Sequence, residues 1–195
     1  MLKLTSLLVA AALVASCAGT DFVRPTPEAL KVGKSTYSDV IEKLGNPEQT
    51  GEQLINEKKV KRIIYVYAAA GGEPVEPGIT PARANAYFFD NDILVGTEFT
   101  SSFKEDATNF DSSKVEYIKK GETTRSQVLL TFGRPSVVFI PPMVEKTHGE
   151  AIGYLYSQTK GNVYSGLKQH QKALVVTFDQ ADKVEKVTFT SSGTQ

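Results

Sequence analysis

The groups in this chain able to act as nucleophile, metal ligand or acid–base pair are one cysteine (Cys17), two histidines (His148 and His170) and scattered carboxylates. Their spacing argues against each use. The histidines lie far apart with no second cysteine, which is not the ligand spacing of a zinc site. Neither a Gly-x-Ser-x-Gly elbow nor a glycine-rich phosphate loop is present, because Gly71-Gly72 leads into prolines rather than a helix. No motif sets two carboxylates as acid and base. The expectation is therefore no catalytic residue, no metal and no enzyme. Tyr65, Tyr67, Tyr154 and Tyr156 stand two residues apart in pairs, a strand period that makes them candidates for a binding stripe or for sheet-covering residues.

The position of Cys17 is more informative than its number. Residues 1–16 have a short basic start at Lys3, an apolar run from Leu4 to Val14 and small residues at Ala15-Ser16, the layout of a secretory signal peptide. The run is shorter than the roughly 20 residues that span a bilayer. Val14-Ala15-Ser16-Cys17 resembles the lipobox of bacterial lipoproteins, against the alternative of an ordinary signal peptide with a chance cysteine. The resemblance implies cleavage before Cys17, a diacylglyceryl group on its sulfur and acylation of the new amino group, a covalent lipid that is the only cofactor-like group expected. Two or more acyl chains anchor a protein stably where one does not. No aspartate follows Cys17, which by the enterobacterial analogy directs the protein to the periplasmic face of the outer membrane.

The rest of the chain must hold whatever function there is. Lys+Arg and Asp+Glu are equal at 22 each and scattered, so no face favours nucleic acid. An apolar fraction of 41% over 195 residues is enough for packed cores. The organising feature is a duplication. Gly33-Lys-Ser-Thr-Tyr-Ser-Asp-Val-Ile-Glu-Lys-Leu-Gly-Asn-Pro-Glu48 recurs 88 positions later as Gly121-Glu-Thr-Thr-Arg-Ser-Gln-Val-Leu-Leu-Thr-Phe-Gly-Arg-Pro-Ser136. Thr36 and Thr124 each open a capping box, closed by Asp39 and Gln127. Val40 and Val128 begin an apolar helix face. Gly45 and Gly133 fit a left-handed C-terminal cap, and Pro47 and Pro135 forbid continuation. Gly33 and Gly121 precede each motif. Every one of these residues has a structural reason to be there.

A further short helix is expected before each motif, from the cap Thr26-Pro27-Glu28 and from a cap at Ser112 or Ser113. Beyond each proline the period becomes extended. Arg62–Tyr67 aligns with Ala151–Tyr156, Ala86–Asp90 with Val175–Asp179, and Phe99–Ser102 with Phe189–Ser192. The fold expected is α+β: two tandem modules, each of two short helices packed on a three- to four-stranded antiparallel sheet. The domains are a signal peptide over 1–16, a tether over 17–25, a first module over 26–103 and a second over 104–195. Phe103–Phe110 reads as a polar linker. Ala68–Ala84 and Gln158–Gln171 read as long loops, where function is more to be expected than in the helix motif.

The run Lys-Gly-x-Thr-Thr-x-Ser-x-Val-x-x-x-x-Gly-x-Pro at Lys120–Pro135 resembles the SmpA/OmlA (BamE-like) family of outer-membrane lipoproteins. The lipobox and the helix–helix–strand order fit that family, whose typical members carry one module where this chain carries two. Two modules side by side are also similar to the β-lactamase inhibitory protein. The family resemblance implies a non-enzymatic scaffold or accessory factor in envelope or outer-membrane protein assembly. Its partners would be the membrane, through the lipid, and envelope proteins such as barrel-assembly subunits. The fold relative implies a periplasmic protein-binding or inhibitory module instead.

Overall fold

The computed structural model describes residues 19–69, 71–145, 149–162 and 166–193. Cys17 and the expected signal peptide lie outside them, as does His148. The strands are β1 (Gln49–Ile55), β2 (Lys58–Ala68), β3 (Ala82–Asp90), β4 (Ile93–Ser101), β5 (Val137–Phe139), β6 (Glu150–Asn162), β7 (Gly166–Phe178) and β8 (Val184–Gly193). They form one antiparallel sheet in sequence order. This corrects the expectation of a separate three- to four-stranded sheet in each module. The two halves are continuous because β4 pairs with β5, with Gly96 opposite Phe139, Thr97 opposite Val138 and Glu98 opposite Val137. The join needs a glycine: a Cβ at residue 96 would lie 2.8 Å from the Phe139 ring, which packs edge-on against Phe88. Pairing removes two sheet edges, each a row of unsatisfied amides.

The helix motif forms twice as its residues dictate. Helices α1 (Tyr37–Leu44) and α2 (Arg125–Phe132) both start with a complete capping box, at Thr36 and Thr124. Gly45 and Gly133 end them at φ 78°, with ψ −162° and −152°. That is not the left-handed helical cap expected but a more extended region that only glycine occupies readily. Both motifs also dock alike. The Gly33 amide donates to Leu94 O and Leu94 N–H to Ser35 O; Gly121 and Thr123 repeat this with Val184, all at 2.7–2.8 Å.

The flanking helices depart from expectation. Thr26–Leu30 makes only a turn, with Ala29 and Leu30 amides on Thr26 O, because so short a run between Pro25 and Gly33 cannot repay helix nucleation. Its counterpart is a 3-10 helix, Ser112–Tyr117, capped by Asp111 rather than by Ser112 or Ser113.

Helices and turns lie on one face of the sheet. Val40, Ile63, Tyr65, Tyr87, Phe89 and Leu94 fill the first half beneath α1, and Val128, Ile152, Tyr154, Leu174, Val176 and Phe178 fill the second beneath α2. On the opposite face Val60, Ala86, Phe88 and Val95 are covered by Phe139, Ile140 and Met143, so the chain after β5 roofs the first half.

Two other expectations change. Of the loop expected at Gln158–Gln171, residues 163–165 lie outside the described residues and the rest is the far end of a β6–β7 hairpin arm, paired in register from Gln158 opposite His170 to Asn162 opposite Gly166. Residues 78–80 of the loop expected at Ala68–Ala84 lie along that arm: Thr80 N–H donates to Thr159 O and Gly161 N–H to Gly78 O, both at 3.1 Å. The described part of the expected tether, residues 19–25, is packed rather than free. Phe22 is buried in the first core, and the supposed linker buries both its ends, Phe103 and Phe110.

Candidate functional site

Each strand tyrosine was free, on sequence grounds, to face solvent. The structure places them under the helix layer instead. Tyr65, Tyr154 and Tyr156 are buried, and only Tyr67 is partly exposed, its ring stacked on Phe103 at 5.7 Å. Tyr65 Oη donates to Gly45 O at 2.8 Å and Tyr154 Oη to Gly133 O at 3.0 Å. Each hydroxyl therefore satisfies a carbonyl left open where the helix stops. Burial pushes both phenols up to about 12; the neighbouring Tyr37 and Glu48 add to the effect at Tyr65. These residues are parts of the core, not an accessible binding stripe. The motif residues are structural too: Val40 and Val128 face the cores, and the exposed glycines and half-buried threonines bound the helices.

What sequence reasoning missed lies at the seam between the two halves. A dipeptide, Arg-Pro, occurs at Arg24-Pro25 and at Arg134-Pro135. The two cross-donate: Arg24 Nη2 reaches Pro135 O at 2.7 Å, and Arg134 Nη2 reaches Pro25 O at 2.8 Å. Arg24 also lies 4.8 Å over the Phe99 ring. Burial, reinforced by the like charge of Arg134, lowers the Arg24 guanidinium to about 10. Clefts of about 520 and about 490 Å³ open on the helix-bearing face around this pair, the larger floored by Tyr87, Phe99, Val138 and Ile140. The clefts set these arginines beside carboxylates, Glu28 and Glu150 in the larger and Glu105 and Asp106 in the other.

Beside it, Arg83 is buried and fastens the N-terminal segment. It donates to Phe22 O at 3.0 Å and to Glu105 at 2.5 Å, lies within 3.2 Å of Asp106, and sits over Phe103. The sign of the charge and the neighbouring acids are visible in the sequence, but nothing there marks Arg83 as buried.

The helix-free face carries residues of both halves. Glu98 sits at its centre, and burial raises its carboxyl above the usual range while Arg62 opposes the rise. A third cavity, of about 480 Å³, opens on this side near Met143, Val175 and Thr188. Among the described residues no group of His, Cys, Asp and Glu could hold a metal ion. No described helix is long and apolar enough to cross a membrane.

Comparison with known proteins bears on the second half most directly. No curated protein matches the chain. A solved structure of a proposed β-lactamase inhibitor protein from Streptococcus mutans is similar over 93% of this chain and 96% of its own, with 11% identity and a TM-score of 0.43. Residues 107–188 match the family described as the outer membrane protein assembly factor BamE domain, and the resemblance carried by Lys120–Pro135 is thereby borne out for that part of the chain.

Proposed function

We propose that the protein is a non-enzymatic, lipid-anchored outer-membrane lipoprotein, a scaffold or accessory factor in cell-envelope and outer-membrane protein assembly. The observation that carries the reading is the BamE domain at residues 107–188. The lipobox at Cys17 supplies the anchor. Gly19, two residues later, lies against the Val66 carbonyl, and a chain extends at most about 3.5 Å per residue. An anchor on Cys17 would hold the body within roughly 7 Å of the lipid surface. A Cys17→Ala variant is expected to leave the membrane fraction; unchanged fractionation refutes the anchor. Crosslinking in intact cells is expected to recover barrel-assembly subunits, and their absence, where authentic subunits are captured, refutes the role.

A second reading is a periplasmic protein-binding or inhibitory module that uses the combined sheet surface. It is favoured by the single sheet, whose helix-free face is built from both halves. Photo-crosslinkers at Gln53 and Thr190, near opposite sheet edges on that face, should then capture the same partner. Capture from one position alone counts against it.

A further inference from the structure

The duplication allows one half of the molecule to be read as the bound form of the other. In the first half, the outer edge of β4 is occupied: Phe99 N–H donates to Ser136 O at 2.8 Å, Ile140 N–H donates to Val95 O at 3.0 Å, and Val137–Phe139 pair between them. The equivalent strand in the second half is β8. The equivalence rests on the docked motifs, which bind Leu94 and Val184 identically, and on the shared endings Phe99-Thr-Ser-Ser and Phe189-Thr-Ser-Ser. Added to Leu94, Thr97 and Phe99, the same step of 90 positions gives Val184, Val187 and Phe189. Both strands also carry a register shift at the same place, opposite Phe88/Phe89 and Thr177/Phe178. Among the described residues the matching edge of β8 is the last in the sheet.

We infer that the edge of β8 from Lys186 to Phe189 is an acceptor for a strand of another protein, added antiparallel in the register that β5 adopts on β4. The chemistry of the strand follows from what fills the equivalent edge here, Val137-Val138-Phe139: an uncharged, extended run of β-branched and aromatic residues. Two observations support a vacancy of this kind. From Val187 to Phe189 this edge carries no charge and no proline, and Lys186 is its one charged residue, whereas protected edges commonly carry both. Phe99, covered by Arg24 as well as flanked by the paired strand, is 1% exposed, and its counterpart Phe189 is 39% exposed. A second copy is a poorer occupant. The strand of this chain equivalent to β5 is β1, where Gln49, Thr50 and Gly51 replace the two valines and the phenylalanine and Glu52 follows. The inference depends on neither the lipid anchor nor the family. It names a class of partner, extended strand segments, that an assembly factor would meet.

The test uses the mature full chain in detergent and, as probe, a peptide with the sequence of residues 134–141. Saturable binding is expected. The same peptide N-methylated at Val138, which lies opposite Thr97 in the intact ladder, should bind about tenfold more weakly or not at all, because the methyl removes a ladder donor. Register is read by disulfide trapping. Thr188→Cys should trap a peptide carrying cysteine in place of Val137, and Lys186→Cys one carrying it in place of Phe139, with the crossed combinations unreactive. No saturable binding, binding indifferent to N-methylation, or trapping without regard to register overturns the inference. A chain already dimerised through Thr188→Cys self-trapping does so too, in favour of a second copy.

Discussion

Replacing Gly45 and Gly133 by alanine isolates backbone strain from packing. Both residues hold φ at 78°, where an L side chain is disfavoured, yet a Cβ at either meets nothing within 4 Å. The cost of Gly45→Ala or Gly133→Ala is therefore conformational alone, roughly 1–3 kcal/mol each for this glycine-only region. For a domain of this size that lowers Tm by roughly 2–12 °C. Gly51 is the internal control: its added Cβ also meets nothing, but it sits in β1 without a positive φ, so Gly51→Ala is expected to be neutral or slightly stabilising. Urea unfolding can be followed by tyrosine emission, since the chain has eight tyrosines and no tryptophan. The two sites lie in separate cores, so the double variant should add their separate costs. A cost below about 0.5 kcal/mol at both sites, or an equal cost at Gly51, would refute the argument that the helix stops require glycine.

Tyr65 and Tyr154 should ionise late. Their pKa values are raised in the folded state, so the stability they contribute is full below pH 10 and is lost as the pH rises towards 12. Absorbance titration of tyrosinate in the Tyr65→Phe/Tyr154→Phe variant should show a smaller late-titrating fraction, with buried Tyr87 and Tyr156 remaining in it; an unchanged curve contradicts the burial of Tyr65 and Tyr154. Each substitution should also cost about 0.5–1.5 kcal/mol through the lost hydroxyl–carbonyl bond. Arg83→Met should cost roughly 1.5–3 kcal/mol, the range for hydrogen bonds to a charged group. It should also open residues 19–25 to protease, and protection equal to that of the wild type would show that Arg83 does not hold the segment.

The sequence by itself determined everything local. The capping boxes at Thr36 and Thr124, the apolar faces led by Val40 and Val128, and the stops at Gly45 and Gly133 are written within sixteen residues, because each depends on hydrogen bonds spanning three or four positions. The duplication was legible for the same reason, since its period repeats local patterns. Tertiary structure decided what residues distant in sequence do to one another. That Tyr65 and Tyr154 are buried follows from which strand face the helices cover, and the two-residue period is the same for either face. That Gln158–Asn162 and Gly166–Gln171 form a hairpin arm follows from pairing between them, which their polar composition concealed. That the halves share one sheet rests on three residues of β5 meeting β4 beside Gly96, and the clasp of Arg24 and Arg134 forms across 110 positions of chain. A pattern read along the chain has no term for either contact, because both arise only when the two halves are placed side by side.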